Sequence, residues 1–188
     1  MNSDPIFTPE LQTDRLVLRP LSVSDAPAIQ QQFSRWEVVR LMSAAIPWPY
    51  PADGALRFLR DIALPAMTAG HEWHWSLRPK SEPDLLIGVI SLMTSSDDNR
   101  GFWLAPEWQG QGLMAEACAA TAEFWFTTLG RSVMRVPKAA ANAASRRISQ
   151  REGMTLIWTG ERDYVSGTGP AELWQLTADQ WRARRRAV

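Results

Sequence analysis

The sequence has one cysteine, two histidines and no excess charge of either sign, and each shortage excludes a class of protein. The single Cys118 cannot form an internal disulfide, so the sequence predicts a reducing compartment, the cytoplasm. The 20 basic residues balance the 20 acidic ones, which argues against a generic binder of nucleic acid or membranes. No apolar run reaches the roughly 18 residues of a membrane span, and Met1–Glu10 lacks the basic and apolar parts of a signal peptide.

Potential metal ligands are few and scattered. His71 and His74 lie in a segment that reads as a strand, where a spacing of three places them on opposite faces, and the sequence shows no further cluster of ligands to complete a site. Cys118 is followed by two alanines in an apolar helix and is predicted to fill the core rather than to act as a nucleophile. We therefore expect no metal site and a partly buried strand histidine.

The apolar pattern predicts one α/β domain, since 188 residues with 45% apolar content can bury a sizeable core. The strand–helix–strand unit around position 113 implies a parallel crossover within a mixed sheet. The predicted order is a strand at 15–19, helices at 22–36 and 53–65, strands at 72–78, 85–93 and 101–104, a helix at 113–129, a strand at 132–136, a helix from 142, and strands at 154–160 and 171–177.

The most informative motif is a glycine-rich loop that opens directly into a helix. Gly110 and Gly112 are two residues apart, which allows a tight turn and a close approach of the backbone to a ligand. The first helical turn adds free N–H groups and the positive end of the helix dipole. The lysine of a P-loop and the third glycine of a dinucleotide fingerprint are both missing. The motif therefore predicts a pyrophosphate cradle made mainly of backbone groups.

This order of elements, with four local motifs, resembles the GNAT superfamily of acyl-CoA-dependent N-acetyltransferases. The likeness covers about 11–181 and is greatest to the branch that contains the ribosomal-protein N-terminal acetyltransferases, the Rim type. It implies a single-domain fold with a mixed central β-sheet flanked by helices, followed by a basic C-terminal tail at 182–188. The four motifs are Thr13–Arg19, Trp103–Pro106 with Gln109–Gly112, Ala115–Ala117, and Asn142–Ile148 with Glu152–Met154.

The resemblance implies acetyl-CoA as the co-substrate and no metal. Backbone groups near Leu104 would meet the thioester carbonyl, and Asn142, which the pattern also predicts as a helix cap, would contact the cofactor arm. Met114 stands where the family has a small residue, and its long side chain is expected to crowd the cofactor or to shift the helix start. The implied pyrophosphate-binding residues are Gln109, Gly110, Gln111, Gly112, Leu113 and Met114.

Two side chains are candidates for the proton transfers of acetyl transfer. By resemblance, Ser145 would donate a proton to the leaving thiolate, although water can replace it and a first-turn serine can simply bond locally. Asp163, in the predicted loop between the last two strands, would act as base, with Glu161 as the alternative. A solvated loop charge is the simpler interpretation, because an α-amine with a pKa of about 7.7–8.0 is already roughly a quarter neutral near pH 7.4.

The acceptor is the least determined part of the prediction. Trp36, Trp48 and Tyr50 fall in the family's acceptor-side loops, where they would either line a groove or pack as core. The leading acceptor is a protein or peptide N-terminal α-amine, and the alternatives are a small amine (amino acid, polyamine or antibiotic) or a non-catalytic acyl-CoA-binding module. A monomer and a homodimer both remain open.

Basic residues concentrate in two parts of the sequence. The segment 131–151 contains six basic residues and no acid, which suits the 3′-phosphate of coenzyme A or a solvated helix face. The arginine-rich tail suits an acidic partner or RNA, but a frayed terminus is the simpler prediction. We expect no membrane partner and no nucleic acid.

Overall fold

The computed structural model describes residues 6–186, and its first half is a five-stranded antiparallel sheet in chain order. Trp73, Trp75 and Leu77 alternate along β3 and bury one face of this sheet, whereas Val89 and Trp103 belong to the core on the other face. The strands are β1 (Leu11–Gln12), β2 (Leu16–Pro20), β3 (Glu72–Pro79), β4 (Gly88–Met93) and β5 (Arg100–Leu104).

Helices between β2 and β3 cover the second face of the sheet. The predicted helix at 22–36 is divided, because the chain leaves the helical conformation after Phe33 and α2 begins at Trp36. Pro65 does not end the next helix: the chain widens into a π-helix at Phe58–Ala63, ahead of the residue that has no N–H to donate, and then continues. The helices are α1 (Ala26–Phe33), α2 (Trp36–Val39), α3 (Gly54–Arg57) and α4 (Leu64–Thr68).

The second half forms a three-stranded antiparallel sheet in the order β6-β8-β7. Its face with Met134, Val136 and Trp174 joins the core of the first sheet. A π-helical turn (Phe124–Thr128) prolongs α5, and Gly130 follows with φ of 62°. The elements are α5 (Leu113–Glu123), β6 (Val133–Ala139), α6 (Ala143–Glu152), β7 (Thr155–Tyr164), β8 (Gly167–Thr177) and α7 (Ala178–Arg186).

The two sheets meet at β5 and β6, which touch only where they begin. The Asn99 N–H donates to the Arg135 carbonyl at 2.8 Å, and the Arg135 N–H donates to Asn99 Oδ1 at 2.7 Å. Beyond this point no ladder joins the strands among residues 6–186. The α/β fold is as predicted, but the parallel pairing expected within one mixed sheet is absent from the described residues. Instead, β5 and β6 are unpaired toward their ends at Leu104 and Ala139, and this unpaired region is called the gap below.

Two boundaries near the C-terminus differ from prediction. β7 and β8 continue to a tight hairpin, in which Tyr164 pairs with Gly167 and Gly167 has φ of 109°, so Asp163 is a strand residue and not a loop residue. The helix α7 crosses the predicted boundary at 181/182. The predicted frayed terminus is wrong for Arg182–Arg186, since Arg185 pairs with Glu123 at 2.9 Å and Arg184 donates to the Arg151 carbonyl at 2.7 Å. The last two residues lie outside the described part.

Candidate active site

The glycine-rich loop follows β5 and begins α5, as the motif predicts. Gly110 and Gly112 have φ of 77° and 80°, in the left-handed region that favours glycine. A Cβ atom at Gly110 would meet no atom of the described chain within 4 Å, so the space beside the loop is open. The N–H groups from Gln111 to Ala115 donate to no acceptor within residues 6–186. The loop therefore offers a row of free donors at the positive end of α5.

A long-range clamp, which the sequence did not reveal, holds this loop. Glu116 in the first turn of α5 accepts the Arg15 N–H and the Arg15 Nε–H, each at 2.8 Å, as well as the Thr13 hydroxyl. Arg15 Nη1 also donates to the carbonyl of Gln111 at 3.0 Å. Although partial burial opposes ionisation, these hydrogen bonds lower the pKa of Glu116. The segment before β2 thus fixes both the loop and the start of the helix.

Leu104 presents its backbone to the gap between the sheets. It faces Gly88 without a ladder hydrogen bond, because the bonding alternates along antiparallel strands and the next residue, Ala105, donates to Ile87 at 2.8 Å. The Leu104 N–H therefore points away from β4, and the Leu104 carbonyl accepts Gln109 Nε2 at 2.8 Å. The Gln109 side chain is thus used in orienting β5, and the Gln109 N–H donates to the Pro106 carbonyl at 3.2 Å, so the free backbone donors of the loop lie after Gln109.

Met114 does not project toward the space beside the loop. Its side chain is buried in the main core with Leu113 and Ala117, and α5 begins at Leu113 directly after Gly112. The Met114 side chain packs inward while its backbone N–H remains at the loop, so the side chain does not crowd the space beside the loop as expected.

The start of α6 lies three residues after the end of β6, at the other side of the gap. Asn142 is the N-cap, as predicted, and its Oδ1 accepts the Ser145 N–H at 3.1 Å. The predicted stop at Gly153 is also present, with φ of 73° and the Met154 N–H donating to the Ser149 carbonyl at 3.0 Å. Ser145 is buried in the first turn of α6, and its N–H is held by the cap.

A buried polar cluster lies between α6 and the strands, and the sequence did not predict it. Arg100 of β5, fully buried, makes a two-pronged ion pair with Glu152 at 2.7 and 2.5 Å. Lys138 of β6 is also buried, and its ammonium group donates to the Ser145 carbonyl at 3.2 Å and to the Ser149 hydroxyl. Cys118 lies within the core, as predicted, and burial raises the pKa of its thiol to about 12. It is therefore not a nucleophile at neutral pH.

The hairpin of β7 and β8 closes one end of the side of the molecule opposite α5 and α6. Backbone bonds of 3.0–3.1 Å join it to the segment 40–44, from Ala44 to Asp163, from Val165 to Met42, and from Ser166 to Arg40. The Asp163 carboxylate is exposed and accepts the Thr168 hydroxyl at 2.6 Å. The strand register places the side chains of Asp163 and Glu161 on the α6 side of the sheet with Glu172, and Tyr164 on the opposite side with Ala139.

Aromatic side chains gather on the face of β5 that is remote from α5. Phe33 contacts both Tyr50 and Trp103, with ring centroids 5.2 and 5.4 Å apart. Trp36 and Trp48 contact each other at 5.3 Å and remain 42% and 41% exposed. The first group is core, as one of the two interpretations has it for Tyr50, whereas Trp36 and Trp48 form an open aromatic surface whose use as an acceptor groove stays a prediction.

Histidine and basic residues mostly serve the structure. His74 is buried and bonds Ser91 and Glu72 at 2.6 and 2.7 Å, as expected for a strand histidine, and residues 6–186 hold no cluster of three or more potential metal ligands. The basic segment 131–151 does not form one patch: Arg135 pairs with Asp97 at the start of β6, whereas Arg146 pairs with Glu172 near α6. In the described part of the chain, no helix is long and apolar enough to cross a membrane.

This fold agrees with comparisons to known proteins. The model of the acetyltransferase (GNAT) domain matches residues 15–155, so the chain belongs to the GNAT family and is an N-acetyltransferase. The uncharacterized N-acetyltransferase YoaA of Bacillus subtilis (strain 168) is 29% identical over 150 residues, which cover 77% of this chain and 82% of YoaA.

Two solved structures share the fold at low sequence identity. The ribosomal-protein-S5-alanine acetyltransferase from Vibrio fischeri has a TM-score of 0.78 at 16% identity, covering 92% of this chain and 98% of that one. The RimL ribosomal L7/L12 α-N-protein acetyltransferase in complex with coenzyme A has a TM-score of 0.77 at 16% identity, covering 92% and 99%. At this identity the likeness establishes the fold alone.

Proposed function

We propose that the chain transfers acetyl from acetyl-CoA directly to a primary amine, and that the principal acceptor is a protein or peptide N-terminal α-amine. The gap at Leu104 carries this proposal. Free backbone donors lie on its α5 side, and the exposed pair Trp36 and Trp48 lies on the other face of the sheet. The names of the two structural neighbours, both ribosomal-protein acetyltransferases, support the same class of acceptor.

The residues of the cradle fit coenzyme A. Backbone N–H groups from Gly110 to Met114 suit a pyrophosphate, and the open space at Gly110 allows its close approach. Asn142 uses Oδ1 for its cap, which leaves its Nδ2 donors for the cofactor arm. The Leu104 N–H suits the thioester oxygen, where negative charge develops during transfer.

We propose residues for both proton transfers. The amine nitrogen forms a bond to the acetyl carbon as the carbon–sulfur bond breaks, the amine loses a proton, and the thiolate gains one. We assign the first proton to Asp163 or water and the second to Ser145. A weak, exposed base suffices for an α-amine, about a quarter of which is neutral near pH 7.4, but not for lysine, of which about a thousandth is neutral.

We place the reaction in the cytoplasm, which the single buried Cys118 fits. The catalytic domain is proposed to span residues 11–181, with the basic residues after it continuing its last helix. The edge strand β7, with exposed Leu156, Ile157 and Trp158, is the surface on which a monomer and a homodimer would differ.

Coenzyme A release from acetyl-CoA, measured with an amine panel, tests the proposal. The panel holds peptides with free Ala, Ser or Met N-termini, the same peptides N-blocked with an internal lysine, and small amines. We expect turnover with free N-termini only, and a loss of turnover in Ser145→Ala but not in Ser81→Ala, an exposed serine in the turn after β3. Turnover that is confined to N-blocked peptides, or silence with every amine while coenzyme A still binds, would contradict it.

A small amine is the second candidate acceptor. The backbone bonds between the hairpin and the segment 40–44 close one end of the acceptor face, which favours a short substrate. Turnover with amino acids or polyamines but not with peptides would select this function.

A further inference from the structure

Lys138 is a buried cation with no carboxylate partner. Its side chain extends from β6 toward α6, where Nζ donates to the Ser145 carbonyl at 3.2 Å and to the Ser149 hydroxyl, one turn further along. Nζ also lies 6.0 Å from the centre of the Trp174 ring. Among residues 6–186, no carboxylate oxygen lies within 4.0 Å of it.

The acidic groups around Lys138 are engaged elsewhere. Glu172 is its direct cross-strand neighbour, yet Glu172 Oε2 accepts from Arg146 at 2.9 Å and from Trp174 at 2.8 Å. Glu152 is bound by Arg100, and the Cys118 thiol is neutral. Burial and the charge of Arg100 lower the pKa of Lys138 to about 8, although Cys118, Glu152 and Glu172 oppose this shift.

An unpaired buried lysine is costly, so its position is informative. It holds the Ser145 carbonyl, while the Asn142 side chain holds the Ser145 N–H. Both backbone groups of this serine are therefore fixed by side chains from two different directions. The Ser145 hydroxyl makes no hydrogen bond within the described residues.

We propose that Lys138 is a positioning residue for Ser145: its ammonium group holds the Ser145 carbonyl, anchors the first turn of α6, and places a positive charge at the residue whose hydroxyl protonates the leaving thiolate. This inference rests on the proposed function, since it assigns Lys138 to the acetyl-transfer site. The balance of the reaction is unchanged, because Lys138 donates no proton to the substrate. It acts by orienting Ser145 and by stabilising nearby negative charge.

The variant Lys138→Met tests this role, since methionine keeps the length and apolar stem of the side chain without its charge. Lys80, exposed in the turn after β3, is the only other lysine in the sequence, so Lys80→Met is the matched control. We expect Lys138→Met to lower kcat by about tenfold or more, with KM for acetyl-CoA within about threefold of wild type. Lys80→Met should change neither.

Two readouts distinguish positioning from mere support of the fold. In a Ser145→Ala background, Lys138→Met should cost little further activity, since the two residues act together. With a peptide α-amine, kcat of the wild type should fall as the pH rises through about 8 and Lys138 loses its charge, and this limb should be missing in Lys138→Met. An equal loss in both backgrounds, or an unchanged alkaline limb, would overturn the proposal.

A measurement without turnover separates this inference from the proposed function. With only two lysines, 13Cε-lysine labelling gives two NMR signals, and Lys80→Met assigns them. We expect coenzyme A to raise the pKa of Lys138 more than desulfo-coenzyme A does, because the thiolate form of its sulfur, when close to the ammonium group, favours the charged lysine. Equal shifts would overturn the role of Lys138 even in an active enzyme. If the protein acetylates no amine and coenzyme A still shifts the pKa of Lys138 more than desulfo-coenzyme A does, the proposed function fails but the placement of Lys138 at the cofactor site is supported.

Discussion

Substitution of Gly112 provides the sharpest test of the cradle. A Cβ at this position would meet only Arg15 Nη2, at 3.6 Å, so a side chain fits sterically. The backbone has φ of 80° and ψ of 0°, a conformation that Asn and Asp tolerate better than other residues do. Gly112→Asn and Gly112→Asp therefore share nearly the same strain and size and differ in one negative charge.

That charge would stand among the free N–H groups of Leu113, Met114 and Ala115, where the pyrophosphate is proposed to bind. Two unit charges about 5 Å apart at an effective dielectric constant of 20–40 repel by about 2–3 kcal/mol. Gly112→Asp should therefore bind coenzyme A roughly 30- to 150-fold more weakly than Gly112→Asn. Calorimetric titration measures both affinities, and thermal unfolding confirms that both variants fold. Affinities within threefold of each other would refute the cradle assignment.

Three further predictions concern the groups around the gap. Asn142→Asp should keep the helix cap but weaken coenzyme A binding. Asn142→Ala should weaken binding and also lose about 1 kcal/mol of unfolding free energy in urea. Equal affinity of Asn142→Asp and the wild type for coenzyme A would contradict a cofactor contact. Glu116→Gln should destabilise the fold by about 1–3 kcal/mol at pH 7 and by less near pH 3, because Glu116, whose pKa is lowered in the fold, stabilises it only while the carboxylate is ionised. A loss of stability that does not depend on pH would exclude the ion pair as its cause. The pKa of Lys138 is lowered in the folded state, so unfolding takes up a proton between pH 8 and 10.5. The free energy of unfolding of the wild type should therefore rise by up to about 3 kcal/mol across this window relative to Lys138→Met. Parallel plots of unfolding free energy against pH for the two proteins would show that Lys138 titrates as an ordinary lysine.

Features that depend on neighbours in sequence were predictable. Asn142 and Gly153 bound α6 because a cap and a left-handed stop act within one helical turn of themselves. The cradle follows the same logic, since Gly110 and Gly112 set their own backbone angles. Local rules fix these conformations before any tertiary contact forms.

Features that depend on distant residues were not predictable. Arg15 and Glu116 are about a hundred positions apart and meet only because β2 lies beside α5, so no spacing rule connects them. Lys138 and Ser149 are similarly ordinary in sequence and become a buried pair only when α6 packs on β6. The hairpin illustrates a third limit: Gly160 and Asp163 are residue types that favour turns, but the ladder to β8 extends the strand past both of them.

The gap between the sheets links the fold to the proposed chemistry. A sheet that continued from β5 to β6 would pair the outward backbone groups of Leu104, and its N–H would not be available to a thioester oxygen. Asn99 and Arg135 join the strands at one end, which fixes the position of the gap without closing it. The two faces then differ in character. On the α6 side Arg100 and Arg146 are paired with Glu152 and Glu172, and Lys138 adds a cation without a carboxylate partner among the described residues. The opposite side presents the aromatic surface of Trp36 and Trp48. An anion and an amine would therefore enter from different faces and meet at Leu104, as direct transfer requires.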